Sequence, residues 1–225
     1  MIKNKFLSLI IILSVVAISC SNMKSEPTHS KQETTAEEVP KDLSKYSKAY
    51  FASGCFWCVE SVFESVKGVK EVVSGYSGGK EANPTYEQVG SGSTGHAESI
   101  EVYYDSSEVS YPTLLKVYFG SQNPTQVNGQ GPDHGKQYRS IIFYSNAAEK
   151  QEAENYISKL NASGEYKQAI AAEVTAFDKF WEAEAYHQNY IANNPKVSYV
   201  QFESIPRIKK FQNKYPELIK PGHKF

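Results

Sequence analysis

The stretch Gly54-Cys55-Phe56-Trp57-Cys58-Val59-Glu60 limits what this chain can build more than any other. The run Lys48-Ala49-Tyr50-Phe51-Ala52-Ser53 alternates as a strand does, and Gly54 is the break that ends it. Beyond the break, Val59, Val62, Phe63 and Val66 recur at helical spacing, with Gly68 placed just past the helix end. Cys55 therefore falls at a strand-to-helix junction. Unpaired N–H groups and the positive end of the helix dipole there favour a thiolate. Cys58 lies on the same face, with its Cα about 5 Å from that of Cys55, inside the disulfide window. The pair reads as one sulfur that attacks and a second that traps it. Buried cysteine also serves as a small hydrophobe, but two cysteines bracketing Phe-Trp after a glycine break weigh against that reading.

Of 225 residues, 24 are basic and 25 acidic, so the net charge of -1 gives no electrostatic footprint for nucleic acid. Lys3 and Lys5 precede an apolar run from Phe6 to Ile18, too short to span a bilayer, which reads as a secretory signal. The closing Ala17-Ile18-Ser19-Cys20 resembles a bacterial lipoprotein signal. That resemblance implies cleavage after residue 19, lipidation of Cys20, and an extracytoplasmic protein anchored to a bacterial membrane. Residues 20–45, rich in Ser, Thr, Glu and Lys, read as a disordered tether. One domain remains, residues 46–225, large enough to bury a real core. With Cys20 lipidated, Cys55 and Cys58 are the only thiols of three cysteines. A bridge closing two intervening residues adds little stability, so a redox role fits better.

Within the domain, Val69–Val73 and His96–Tyr104 read as strands. Glu98 shares the apolar face of the second with Ile100, Val102 and Tyr104. A carboxyl sequestered there has a raised pKa and can act as an acid. The glycine-rich stretches at 75–79 and 90–95 lack the Lys-Ser/Thr of a phosphate cradle and read as tight turns. Ser110 caps a helix reaching Gly120, and residues 121–135 form a long polar loop. Ser140–Tyr144 is a strand, Ala147 to about Leu160 a solvated helix, and Ala172–Ala176 another strand. Residues 177–190 read as largely helical, and the tail from Val197 carries Lys, Arg and Pro without further cysteine. The expected fold is a single two-layer α/β (α+β) domain on a mixed sheet.

Several stretches, in order, resemble the peptide methionine sulfoxide reductase A family. They are Gly54-Cys55-Phe56-Trp57, Asn83-Pro84-Thr85-Tyr86, Gly92-Ser93-Thr94-Gly95-His96-Ala97-Glu98, the run from Gly131 to Ser140, and Phe180-Trp181 with Ala183-Glu184-Ala185-Tyr186-His187-Gln188. The resemblance covers Ala49 to about Pro195. It implies a ferredoxin-like core and an enzyme that reduces methionine S-sulfoxide, free or in proteins. Cys55 is then the nucleophile and Glu98 the acid that protonates the departing oxygen. Phe56 and Trp57 form the methyl pocket, Tyr86 and Tyr138 hydrogen-bond the oxygen, and Asp133 orients the site. The sulfenic acid left on Cys55 would condense with Cys58, and a thioredoxin-like or other dithiol donor would reduce the disulfide. Oxidised proteins are the implied partners, a monomer is expected, and no cofactor or metal is required.

Two departures stand out. Cys58 occupies a position where many relatives have Gly, and no cysteine follows it. Gln122-Asn123 stands before Pro124-Thr125 where the family usually has His-Asp. An extracytoplasmic thiol–disulfide oxidoreductase is the alternative reading of Cys-Phe-Trp-Cys, although it has no need of Glu98, Tyr86 and Tyr138. A zinc site is poorly supported by one Cys-x-x-Cys with His96, His134 and His187 scattered through the chain.

Overall fold

Strand β1 (Ser47–Ala52) is buried over its last four residues because both edges are paired and both faces covered. The computed structural model describes residues 42–225; the signal, Cys20 and most of the tether lie outside the described residues. After β1 come α1 (Phe56–Glu64), β2 (Val69–Ser77), α2 (Tyr86–Gly90), β3 (Ala97–Tyr104) and α3 (Tyr111–Gly120). A hairpin of β4 (Gly129–Gln130) and β5 (Asp133–His134) follows, then β6 (Ile141–Tyr144), α4 (Ala147–Ser163), β7 (Glu173–Ala176) and β8 (Phe180–Glu182). The chain closes with α5 (Tyr190–Asn193), a π-helical turn at Val200–Ser204 and α6 (Ile205–Lys214).

The main sheet runs β7-β6-β1-β3-β2-β8, antiparallel throughout except for the parallel β6–β7 pair. Its inner four strands, with α1 joining β1 to β2 and α3 joining β3 to β6, form the ferredoxin-like core; β7 and β8 widen it. Alternation along β1 splits the apolar side chains between two clusters. Ala49 and Phe51 belong to the larger one, where the Phe51 ring lies 5.1 Å from Phe63 of α1 and 5.3 Å from Tyr118 of α3. Tyr50 and Ala52 join Ile141 and Phe143 on the other face, where Phe177 stacks on Tyr50 at 3.7 Å. Each fully buried side chain of this kind contributes about 1.5–3 kcal/mol.

Local signals account for several boundaries. The Ser110 hydroxyl accepts from the Thr113 N–H at the start of α3, and Asn146 does the same for Glu149 at α4. Gly164, at φ 72°, ends α4 in the left-handed conformation. Helix α1 stops at Glu64, earlier than its apolar spacing predicts, because Val66 pairs with Ile219 and the Lys67 N–H bonds to the Leu218 carbonyl.

Residues 177–190 are not the helix their spacing predicts. Phe180–Glu182 instead adds an edge strand to β2, with Tyr76 opposite Trp181, followed by a 3-10 turn at Ala185–His187. Gly75 permits this: a Cβ there would lie 2.3 Å from both the Phe180 ring and the Trp181 carbonyl oxygen. Close backbone approach at a glycine decides the pairing over local periodicity.

Candidate active site

The junction between β1 and α1 is held open by Gly54. Its φ of +75° suits glycine, and a Cβ would lie 2.5 Å from the Gln130 Cβ. The Gly54 N–H donates to the Tyr138 carbonyl at 3.1 Å, tying the junction to the turn before β6. Cys55 is the N-cap residue of α1, as its position in the sequence predicts, and Cys58 is the third residue of the helix. Both are free thiols, 6% and 2% exposed, and they share a hydrogen bond.

The expectation that the helix start favours a thiolate at Cys55 is not met. Burial, then its hydrogen bond to Cys58, pushes the Cys55 thiol well above the ordinary cysteine range. The first helical N–H, that of Phe56, is donated at 3.0 Å to Oε2 of Glu98. Cys58 goes the other way, to about 6. The hydrogen bond from Cys55 lowers it most, burial opposes, and the Arg207 guanidinium and Ser204 hydroxyl lower it further.

Glu98 lies near the start of β3, opposite Tyr76 of β2, and is 2% exposed. Burial raises its pKa to about 8 against the lowering effect of the Phe56 N–H, so the carboxyl is protonated at neutral pH. Tyr86, the first residue of α2, and Tyr138 are both half-buried, and both feel the charges of Glu98 and Cys55. Among the described residues neither hydroxyl has a protein hydrogen-bond partner, so both remain available to a ligand. Thr85 fixes Tyr86 through a capping box with Gln88, and the Tyr86 N–H donates to Glu184 at 2.9 Å.

The aromatic wall is layered. Phe56 is 1% exposed, with its ring among Tyr76, Tyr86 and His187. Trp57 is half-buried, stacked on Tyr190 at 3.6 Å, and its indole N–H donates to His187 Nδ1 at 3.0 Å. Burial lowers the His187 pKa, so the ring is neutral and, with Nδ1 accepting, carries its proton on Nε2. That nitrogen is buried without a hydrogen-bond partner among the described residues, with Glu184 Oε2 4.0 Å away. Asp133 of β5 accepts from the Tyr199 hydroxyl at 2.6 Å, and the Tyr199 ring meets Trp57 edge-on.

The structure thus gathers Cys55, Phe56, Trp57, Cys58, Tyr86, Glu98, Asp133 and Tyr138 around one junction. Sequence reasoning gave no role to His187, Tyr199, Ser204 or Arg207, which complete it. His187 sits within a quoted motif; nothing local marked the other three. The unusual Gln122-Asn123 also gains an account. Gln122 Oε1 accepts from Ser140 and from Gln130, and the Asn123 N–H and carbonyl bracket the Gln130 amide. Together they hold the side chain that packs over Gly54. His96, His134 and His187 do not converge: among the described residues, no three His, Cys, Asp or Glu side chains group to hold a metal.

A buried acid locked one residue from a buried thiol, with a second thiol in contact, can deliver a proton and two electrons to one centre. On this fold it defines a thiol-dependent reductase. Comparison with known proteins narrows the class. The family described as Peptide methionine sulfoxide reductase matches residues 47–218. Peptide methionine sulfoxide reductase MsrA 2 of Synechocystis sp. is 50% identical over 174 residues, covering 77% of this chain and 81% of its own length. MsrA of Natronomonas pharaonis is 44% identical over 171 residues, covering 76% and 96%. Among solved structures, methionine sulfoxide reductase A of Corynebacterium diphtheriae superposes with a TM-score of 0.60 at 33% identity, covering 67% of this chain and 76% of that one. Reduced Mxr1 from Saccharomyces cerevisiae superposes with a TM-score of 0.65 at 28% identity, covering 72% and 92%. The chain belongs to the peptide methionine sulfoxide reductase family, and its reaction is the thiol-dependent reduction of methionine sulfoxide.

Proposed function

We propose that Cys55 attacks the sulfoxide sulfur while Glu98 protonates the departing oxygen. Oxygen passes from the substrate to Cys55, leaving methionine and a Cys55 sulfenic acid; Glu98 recovers the proton that Cys55 gives up, so atoms and charge balance. Tyr86 and Tyr138 donate hydrogen bonds to the oxygen, Trp57 over Phe56 receives the S-methyl group, and Asp133 holds Tyr199 against that wall. Cys58 then displaces water from the sulfenic acid and closes a disulfide. A thioredoxin-like dithiol reopens it by exchange. The S epimer is the expected substrate, in oxidised proteins or free. One observation carries the assignment: the Phe56 N–H holds the Glu98 carboxyl beside Cys55, and burial keeps that carboxyl protonated.

The test is a single turnover without reductant on resolved sulfoxide epimers. Cys58→Ser should release one methionine per enzyme from the S epimer, and Cys55→Ser none. Equal methionine from both variants would remove Cys55 from its role. A thiol–disulfide oxidoreductase would release none from any variant.

The leader supports a cellular setting. Lys3 and Lys5, the apolar run and Ser19-Cys20 fit cleavage before Cys20 and lipidation of its sulfur and amino group, which would anchor a monomeric enzyme outside the cytoplasm on a bacterial membrane. Mass analysis of the mature N-terminus checks this; an unmodified Cys20 would refute it.

A further inference from the structure

Cys58 is surrounded by groups from the far end of the chain that the sulfoxide chemistry leaves unused. Its sulfur lies 3.1 Å from the Ser204 hydroxyl, and both residues are buried. Ser204 ends the π-helical turn Val200–Ser204, and Pro206, which has no N–H to donate one turn back, follows at the start of α6. Such widened turns recur at functional sites. Arg207 lies one turn further on. Its Nε donates to the Ser121 carbonyl at 2.8 Å, and one terminal nitrogen donates to both the carbonyl and hydroxyl of Ser53. The other terminal nitrogen would lie 3.6 Å from a Cβ placed on Gly54. All these partners are neutral, and among the described residues no carboxylate lies within ion-pair distance of Arg207. Its charge is therefore not neutralised by an ion pair and adds to the lowering of the Cys58 pKa. Cys58 and Arg207 also line one cavity of about 660 Å³. The titratable groups facing Cys58 are Cys55 from the helix start, Glu98 from β3, Asp133 from β5, Tyr199 beside the π turn and Arg207 from α6.

We infer that Ser204 and Arg207 are positioning residues for the second half of the cycle, holding Cys58 aligned so that it closes on the Cys55 sulfenic acid. This rests on the reading of Cys58 as the resolving thiol. In the step, the Cys58 thiolate forms the S–S bond as the S–O bond of Cys55 breaks. The hydroxide that leaves takes the proton that Cys58 gave up on ionising and departs as water, so no outside oxidant or reductant enters. The Ser204 hydroxyl accepts from the thiol and turns to donate to the thiolate.

The test uses full-length wild type, Arg207→Gln, Arg207→Lys and Ser204→Ala. Reduced protein is mixed with a methionine sulfoxide peptide from pH 5 to 9, and methionine release and thiol loss are followed separately. Wild-type closure should rise with pH as Cys58 ionises and then level off. In Arg207→Gln the limb should shift toward the ordinary thiol range, making closure about tenfold slower at pH 5.5. The gap should narrow above pH 8, because a less acidic thiol is the stronger nucleophile once ionised. Sulfenic acid should then be trappable at Cys55 at low pH, and Arg207→Lys should restore most of the wild-type profile. Ser204→Ala should move the limb the same way by less, and it carries the test if Arg207→Gln does not fold. A wild-type closure profile in both Arg207→Gln and Ser204→Ala overturns the inference. Wild type that releases methionine yet keeps both thiols would instead overturn the role of Cys58 itself.

Discussion

The two sulfurs sit within one helical turn, equally removed from water, in surroundings of opposite effect. Cys55 faces a neutral acid from β3 with tyrosines from α2 and the turn before β6, and burial holds its proton on. Cys58 accepts from Cys55 and also faces the Arg207 guanidinium and the Ser204 hydroxyl from the C-terminal end, and its proton is loosened. Burial does not by itself set the state of a thiol; hydrogen bonds and nearby charges decide whether it prevails. Under the proposed reading a division of labour follows, with one side arranged to take up an oxygen and the other to close a bond.

The comparison breaks most sharply at Glu98. Its folded-state pKa of about 8 lies above its unfolded value, so the acid is present at neutral pH and is lost as pH rises through 8. By linkage, its contribution to folding stability is full below the unfolded pKa and falls away as pH rises toward 8. Glu98→Gln should slow methionine formation by about 10²–10³-fold and remove the alkaline limb, leaving disulfide closure by a preformed sulfenic acid unchanged. Rapid-quench measurement of each half-reaction tests this; equal slowing of both would erase the distinction between the two sides.

Gly54→Ala probes the hinge they share. The added Cβ meets Gln130 on backbone with positive φ, which should cost about 2–3 kcal/mol in urea unfolding. It should disturb both half-reactions, since Gln130 and Arg207 both lie against that residue. His187→Phe is the mildest change. It keeps the ring but removes the acceptor for Trp57, costing about 1 kcal/mol, seen as a several-fold rise in KM with closure untouched. A change in kcat alone would place His187 in the chemistry instead.

What the sequence revealed follows the same division. The Cys55 side is written in short motifs, and the strand that carries Glu98 is plain from alternation over residues 97–104. Caps at Ser110 and Asn146 are local signals and mark their helices. The Cys58 side depends on contacts 146 and 154 residues apart in sequence, made by a Ser and an Arg that look like ordinary surface residues in a basic tail. Residues 177–190 misled for a related reason: helical spacing of their aromatics is visible, but the strand pairing that overrides it depends on Gly75, a hundred residues earlier. The acidity expected of Cys55 failed on burial and on its hydrogen bond to Cys58, neither of which local sequence shows.

The N-cap and third-residue placement of the two cysteines has a thermodynamic corollary. Whatever a cross-link adds to the stability of a fold, the fold returns to the cross-link, because the two are legs of one closed cycle. A ring spanning a single turn restricts the unfolded chain very little, so folding neither traps this bond nor strains it open. On the proposed mechanism, opening and closing this bond therefore has little leverage on the stability of the domain.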